Sequence, residues 1–438
     1  MQLSNTSNNN SRRRRFKSRL HKAAAALLTT AAAGSAFAAG PKGWDIGFSN
    51  LYYGEQSRVT VDEPMLYFRH ELRNNQVLSG HVVLDAMTGA SANGATPTNK
   101  VQTFTGASGQ SRRFEESGGE EGHGPTVVAP GAVPLLPFHD HRLAADVDWE
   151  VPLHRLLKGT FGGHLSAESD YTSTGLSSTF ALDAPDRLTT LTLGGSFNGD
   201  NVNPIGGRPQ PFASLTATRP FGSASKVTTD GLIGLTRVLT RHAMMQVNYS
   251  RSREHGYLTE PYKVVSLLDA VTGETSDYLN ENRPETRNRQ SVFAETVAQI
   301  MGEVMHLSYR YYWDDWGIRS STYEARLRVG LGHGHYLEPH FRYYQQSKAD
   351  FFVSGLQSGA PLPEFATSDY RLGGLIDRTI GIKYGITLQD NNEISIRAEY
   401  LRQAPQSVPR DAFGVQRLYD LFPPVNVTIV QVSYSFEL

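Results

Sequence analysis

Charged side chains of both signs stand on the polar side of alternating apolar and polar runs. They are Arg142, Asp146, Asp148, Glu168, Asp170, Arg310, Asp314, Arg326, Arg328, Glu338, Arg342, Lys383, Arg397 and Glu399. If the runs are strands, opposite charges on neighbouring strands can pair. A closed wall of such pairs is either a ladder that keeps the wall rigid or a charged constriction that selects solutes. For any single residue the ladder is the simpler account; for the set both stay open. His139-Asp140-His141 puts two imidazoles on one strand face, and His333 and His335 form a similar pair in a turn. Such pairs can ligate a transition metal, but each is half a site, and the two lie far apart in strand order. The segment Arg112 to His123 gathers carboxylates and an imidazole that could hold a hard cation. Its spacing fits no established metal loop, and a solvated loop explains it better. No G-x-S-x-G, H-E-x-x-H or Gly-rich phosphate loop is present. The sequence therefore offers no catalytic constellation and no cofactor site.

The elements that must position these residues are strands. Val430, Val432, Tyr434, Phe436 and Leu438 alternate with Gln431, Ser433, Ser435 and Glu437. The same period of two runs through 142–151, 305–314, 323–329 and 379–388. Aromatic residues gather near segment ends (Trp149, Tyr312, Trp313, Trp316, Tyr343, Tyr400), as a membrane girdle requires. The spacing predicts sixteen strands, near 42–54, 57–73, 76–88, 139–153, 159–171, 176–184, 187–198, 225–239, 242–255, 287–299, 303–315, 320–331, 336–352, 371–388, 392–403 and 425–438. A count between fourteen and eighteen fits, because 172–224 can be cut differently and Pro64 and Pro339 fall inside strands, where proline is disfavoured. Long connections at 89–138, 199–224, 256–286, 353–370 and 404–424 all fall at alternate positions in strand order. A soluble sheet has no reason to sort its loops by parity, whereas a membrane barrel has short turns on one side and long loops on the other. The fold class predicted is all-β: a transmembrane, antiparallel, up-and-down β-barrel.

Composition agrees. Tyr and Phe number 20 each, Gly 41, and charged residues make up 19%. The absence of cysteine excludes disulfides, a lipid-anchored N-terminal cysteine, cysteine-ligated metals and covalent c-type haem. Arg12, Arg13, Arg14, Arg15, Lys17, Arg19 and Lys22 precede an apolar Ala23 to Ala33 and an A-x-A site at Ala36-Phe37-Ala38. This reads as a cleavable signal peptide over 1–38, with a barrel over 39–438. Removing those seven cations leaves 35 basic and 43 acidic residues, a net of −8, which argues against nucleic acid as a partner. No run of 18 apolar residues follows, so no spanning helix is expected.

Several strings resemble the bacterial domain-of-unknown-function family 3570. They are Asp85 to Ala95, Gln102 to Thr105, Glu168 to Tyr171, Gly256 to Lys263, Glu281 to Pro284, Tyr309 to Gly317 and Glu338 to Tyr344. The resemblance covers roughly residues 42–438; His139 and His141 are not part of it. It implies an outer-membrane protein without an assigned activity. It also implies neighbours in an envelope redox system: a small lipoprotein, a thioredoxin-like protein and a flavin transferase. A chain without cysteine would serve that system only as a conduit or scaffold.

On the strand map the strings fall at outer strand ends and outside loops, where recognition usually lives. The candidate rim residues are Asp85, Thr88, Gly89, Asn93, Gly94, Tyr257, Pro261, Tyr262, Lys263 and Asp315. Gly89 and Gly94 are read as allowing turns. A barrel of sixteen strands leaves an aqueous lumen unless loops fill it, and loop 89–138 is long enough to fold inward. The leading expectation is a channel or transporter for small solutes or ions in the outer-membrane bilayer. The second is a non-transporting scaffold, and the third is a barrel enzyme.

Overall fold

The computed structural model describes residues 43–104, 126–388, 392–406 and 411–438. The signal-peptide segment and Arg112 to His123 lie outside them. Sixteen strands close into one barrel, each paired antiparallel with its neighbour. They are β1 (Trp44–Glu55), β2 (Val59–Glu71), β3 (Val77–Ala92), β6 (Leu135–His154), β7 (Leu157–Ala167), β8 (Tyr171–Asp183), β9 (Thr189–Val202), β10 (Ala224–Thr240), β11 (Ala243–Gly256), β14 (Thr286–Ile300), β15 (Glu303–Asp314), β16 (Arg319–Gly332), β17 (His335–Gln346), β19 (Leu375–Thr387), β20 (Glu393–Pro405) and β21 (Val425–Glu437). The sheet closes where β1 meets β21, with Ile46 opposite Phe436 and Phe48 opposite Tyr434.

The alternation sorts side chains between two surroundings. Leu165, Leu176, Phe197 and Ile380 point outward and are exposed, while Asp85, Thr192, Gln246 and Glu295 point inward and are buried. This inverts a soluble protein, in which apolar residues go inside, and it is the pattern of a wall between lipid and a polar lumen. Aromatic contacts band both ends of the exterior. Trp149, Phe161 and Phe180 meet in a row near the short turns, the first pair tilted and the second edge to face. Tyr311–Trp313 and Tyr323–Tyr343 lie toward the long loops. An outward Leu176→Arg is therefore expected to cost about 2–4 kcal/mol of folding free energy in a bilayer, read by urea titration in vesicles. Ser177→Arg, one position along and facing inward, should cost far less.

The two prolines lie within strands at a local cost. Pro64 pairs with Asn50 of β1, but pairing with β3 lapses between Asp62–Ala86 and Met65–Val83. Pro339 keeps its partner Ile382 on β19, while pairing with β16 lapses between Arg326–His340 and Val329–Leu337. A missing N–H interrupts one ladder and leaves the other. His333-Gly334 and Met301-Gly302 close two-residue turns with both residues at positive φ, as tight hairpins need.

Several strand ends differ from the sequence reading. β3 runs on to Ala92, opposite Leu135, so the loop spans 93–134. β7 ends at Ala167 and β8 starts at Tyr171, which leaves Glu168 and Asp170 in a tight turn rather than on a strand. β17 stops at Gln346, because Ala349 and Phe352 are taken into an apolar core outside the barrel.

That core belongs to the long loops. β12 (Val264–Leu268), β13 (Thr275–Asn280) and β18 (Leu356–Gln357) form a small sheet, and β4 (Gln102–Phe104) pairs with β5 (Thr126–Val128). Val265, Leu279, Leu356 and Ala366 form one buried cluster; Ala95, Phe104, Val128 and Val264 form another. Backbone bonds tie loop to loop: Val264 N–H to Asn93 C=O at 2.8 Å, Asn280 to Ala213 at 2.9 Å, Ser358 to Leu268 at 2.7 Å and Val415 to Thr272 at 2.9 Å. Connections that leave the barrel from all around its rim thus bond to one another. They can do so only by crossing the mouth, and they form a folded cap over the lumen.

Candidate functional site

The register places every lumen candidate on an inward-facing strand position, except Glu168 and Asp170 in their turn. Along β14 to β21 the charges interlock. Arg326 meets Glu324 at 3.2 Å, His340 lies between Glu399 at 2.9 Å and Glu324 at 3.5 Å, and Arg397 meets Glu399 at 3.6 Å. Lys383 and Arg328 both reach Glu393 at 3.5 Å, and Arg328 also lies over the Tyr336 ring. Glu338 stands opposite Lys383. On the other wall Asp146 is shared by His164 at 2.8 Å and His81 at 3.2 Å, Arg142 pairs with Asp85, and Asp148 stands opposite Gly162. Arg310 lies over the Phe293 ring, and Arg342 stands opposite Glu324. Asp314 is engaged at the rim: it accepts from Arg287 at 2.6 Å and from the Trp316 and Ile318 amides, and so shapes the β15–β16 turn.

The rim candidates divide. Asp85 is in the wall, bonded to Arg142, and Thr88 faces outward. Gly89 lies within β3 rather than in a turn; a Cβ there would strike the Arg58 carbonyl at 2.1 Å. Asp315 holds the Asn288 amide and side chain. The remaining candidates meet in the cap. Asn93 turns the chain by accepting from the Ala95 N–H. Pro261 C=O accepts from Arg219. The Tyr257 ring lies 6.0 Å from the Arg208 guanidinium, and burial first, then Glu260, pushes its hydroxyl up to about 12. Tyr262 donates to Asp170, and Lys263 donates to the Ala92 carbonyl. The last two bonds fasten the cap to the barrel wall.

Behind them lies a buried ionic cluster with three cations and three carboxylates. Arg283 meets Glu281 at 2.6 Å and Asp369 at 2.9 Å; Arg371 meets Asp369 at 2.6 Å and Glu260 at 3.3 Å. Thr367 donates to Glu281, and the Glu260 N–H donates to Glu281 at 2.8 Å. The Glu281 and Asp369 side chains are 0% and 1% exposed. Burial alone would raise the Asp369 carboxyl, but the Arg371 guanidinium, then Lys263 and Arg283, hold it well below the usual carboxylate range. Burial dominates at Glu281, whose carboxyl is raised despite Arg283. Burial also pushes the Lys263 ammonium down, against the pull of Asp369. The cluster's inner part, Arg283 with Glu281 and Asp369, is nearly closed to water, so removing either carboxylate leaves the guanidinium short of a partner, whereas Arg371 at 53% exposure still meets solvent. It holds or lets go as a unit.

Of this cluster only Lys263 is among the candidate rim residues. Glu260, Glu281 and Arg283 lie inside strings that resemble the family, Asp369 lies in a segment read as a loop, and Arg371 falls at the start of the expected strand 371–388, which instead starts at Leu375. His139 and His141 share one exposed, outward face, with rings 4.5 Å apart. His333 is a turn residue, and His335 bonds the Tyr384 hydroxyl at 2.6 Å. The metal-capable triad among the described residues is instead Asp140, Glu168 and Asp170, with oxygens within 4.8 Å of one another.

No curated protein matches this chain. Some solved structures are similar to it at low scores. A TodX deltaS2S3 mutant, a monoaromatic hydrocarbon channel, is similar at 10% identity over 91% of this chain and 91% of its own, with a TM-score of 0.41. A mutant of the ferric enterobactin receptor PfeA from Pseudomonas aeruginosa, in complex with enterobactin, is similar at 10% identity over 91% of this chain and 60% of its own, with a TM-score of 0.42. The outer membrane protein opdK from Pseudomonas aeruginosa is similar at 9% identity over 90% and 99%, with a TM-score of 0.39. The family model described as "Protein of unknown function (DUF3570)" matches residues 17–436, and this chain belongs to that family.

Proposed function

We propose that this chain is an integral outer-membrane channel or transporter for small solutes or ions, and that its mouth is kept shut by the loop cap. The observation that carries this reading is the charged, polar lumen wall running beneath a separately folded, ion-paired lid. A scaffold needs no polar lumen, and an open porin needs no packed lid. Between lid and wall lies a cavity of about 630 Å³ whose lining includes Arg58, Lys348, Phe352, Tyr370 and Phe422. It offers a solute room beside both aromatic rings and cations.

The test is conductance of the mature chain in planar bilayers. The full chain should conduct weakly, and deletion of 95–130, which removes part of the lid, should raise steady ohmic conductance. The closed lid also favours a second reading, a non-transporting scaffold for envelope partners such as a small lipoprotein and flavin- or thioredoxin-linked redox proteins. A membrane silent before and after the deletion would select that reading.

A further inference from the structure

We propose that the outward face of the barrel at its long-loop end binds the phosphate groups of membrane lipids, with Arg378 and Arg402 at the centre of the site. Arg378 on β19 stands directly opposite Arg402 on β20. Both share the outward parity of Ile380 and Tyr400, the next outward pair down the wall, which are 60% and 46% exposed. Both arginines are exposed, and among the described residues neither guanidinium has a hydrogen-bond or ion-pair partner. Like charges directly across a ladder repel, so an anion lying between them is the natural complement.

The pair is part of a belt. On β11, Arg251, Arg253 and His255 occupy successive outward positions above Tyr249, and on β16 Arg319 stands outward, opposite Trp313. The carboxylates of these strand ends, Glu254, Asp314 and Asp377, all face inward. Asp315, in the nearby turn, is engaged by Asn288. The outward positions of these strand ends thus carry cations and no carboxylate, just above the aromatic band that marks the interface, while Arg287 and Arg289 face inward and pair with Asp314 and Glu254. An anion that meets both guanidiniums there is a headgroup, because the rung below, with Tyr400, belongs to the aromatic interface and the wall beyond it is apolar. Arginine presents a planar fork suited to phosphate oxygens. The inference rests on the membrane-spanning fold and not on transport, so a silent bilayer leaves it standing.

The test uses the folded mature chain in zwitterionic micelles and a diphosphorylated glucosamine lipid as probe. The lipid should raise the thermal unfolding midpoint and remain bound in native mass spectrometry. Arg378→Gln/Arg402→Gln should lower lipid affinity about thirtyfold. The single variant Arg378→Gln, without lipid, should unfold no earlier than the parent, since it removes a repulsion; this separates loss of binding from loss of folding. Three results would overturn the proposal: equal lipid affinity in the double variant, an equal shift from the same lipid stripped of phosphate, or the same shift from inorganic phosphate at matched concentration.

Discussion

Asp369→Asn should open the cap and give the largest rise in conductance of any single substitution in the chain. The change keeps the side chain's shape and its turn bond to the Arg371 N–H, but removes the charge that Arg283 and Arg371 share. Arg283, 10% exposed, then keeps Glu281 alone, while Arg371, 53% exposed, keeps Glu260 and solvent. A buried charge left with no partner costs about 3–5 kcal/mol; losing one of two partners at Arg283 costs a part of that, still large beside what holds a small packed unit together. The barrel does not share that cost, because its strands pair independently of the lid. The variant should therefore stay inserted while protease gains access to 257–285. If conductance and protease protection both matched the parent, the cluster would not be what holds the lid.

The same cluster fixes the sign of the pH dependence. The folded Asp369 carboxyl is depressed, so its stabilising contribution is full above the ordinary value of about 3.9 and fades only as pH falls through its lowered folded value. Glu281 is raised in the fold, so falling pH adds a proton to the closed form before the open one and favours closure. Neither carboxylate loosens the lid between about pH 7 and about pH 5. The carboxylates thus give no rise in parent conductance across that window; a rise is assigned to Lys263, whose ammonium is lowered in the fold and takes up a proton more readily in the open form, and it should vanish in Lys263→Gln.

The barrel was legible because a wall between lipid and water constrains every residue on it: each side chain faces one or the other, and period two follows. Long connections falling only at alternate positions gave the loop sidedness by the same logic. Strand ends were less legible where another demand took over. Phe351 and Phe352 look like a continuation of β17, yet they pack with Trp316 and Phe422 in the cap. The latch was the hardest part to see. Asp369 and Arg283 are 86 positions apart, in loops with no periodicity, and nothing local marks either as buried. The family strings pointed at one side of the contact, through Glu281 and Arg283, and were silent on the other. His139 and His141 show the opposite case: their shared parity with Leu143 and against Arg142 already placed both on the outward face.

Gly94 is where that missing information is concentrated, and Gly94→Ala is the second substitution expected to unseat the lid. Its φ is +93°, a backbone shape that costs an L-residue about 1–2 kcal/mol. A Cβ there would also sit 2.5 Å from the Val264 carbonyl oxygen and 3.5 Å from the Ser368 side chain. Three of the rim loops meet at this point, so the neighbour that must yield is itself held: Val264 donates its N–H to Asn93 and begins β12. Moving it breaks the joint between the first long loop and the lid's central sheet. Gly222 is the control, with φ of +130° but nothing within 4 Å of the place a Cβ would take. Gly222→Ala should carry the backbone strain alone and leave the lid shut. Gly94→Ala should add the steric cost, expose 257–285 to protease and raise conductance toward the Asp369→Asn level. Equal protection in the two alanine variants would mean that the close approach at Gly94 is incidental and that the ionic cluster alone closes the mouth.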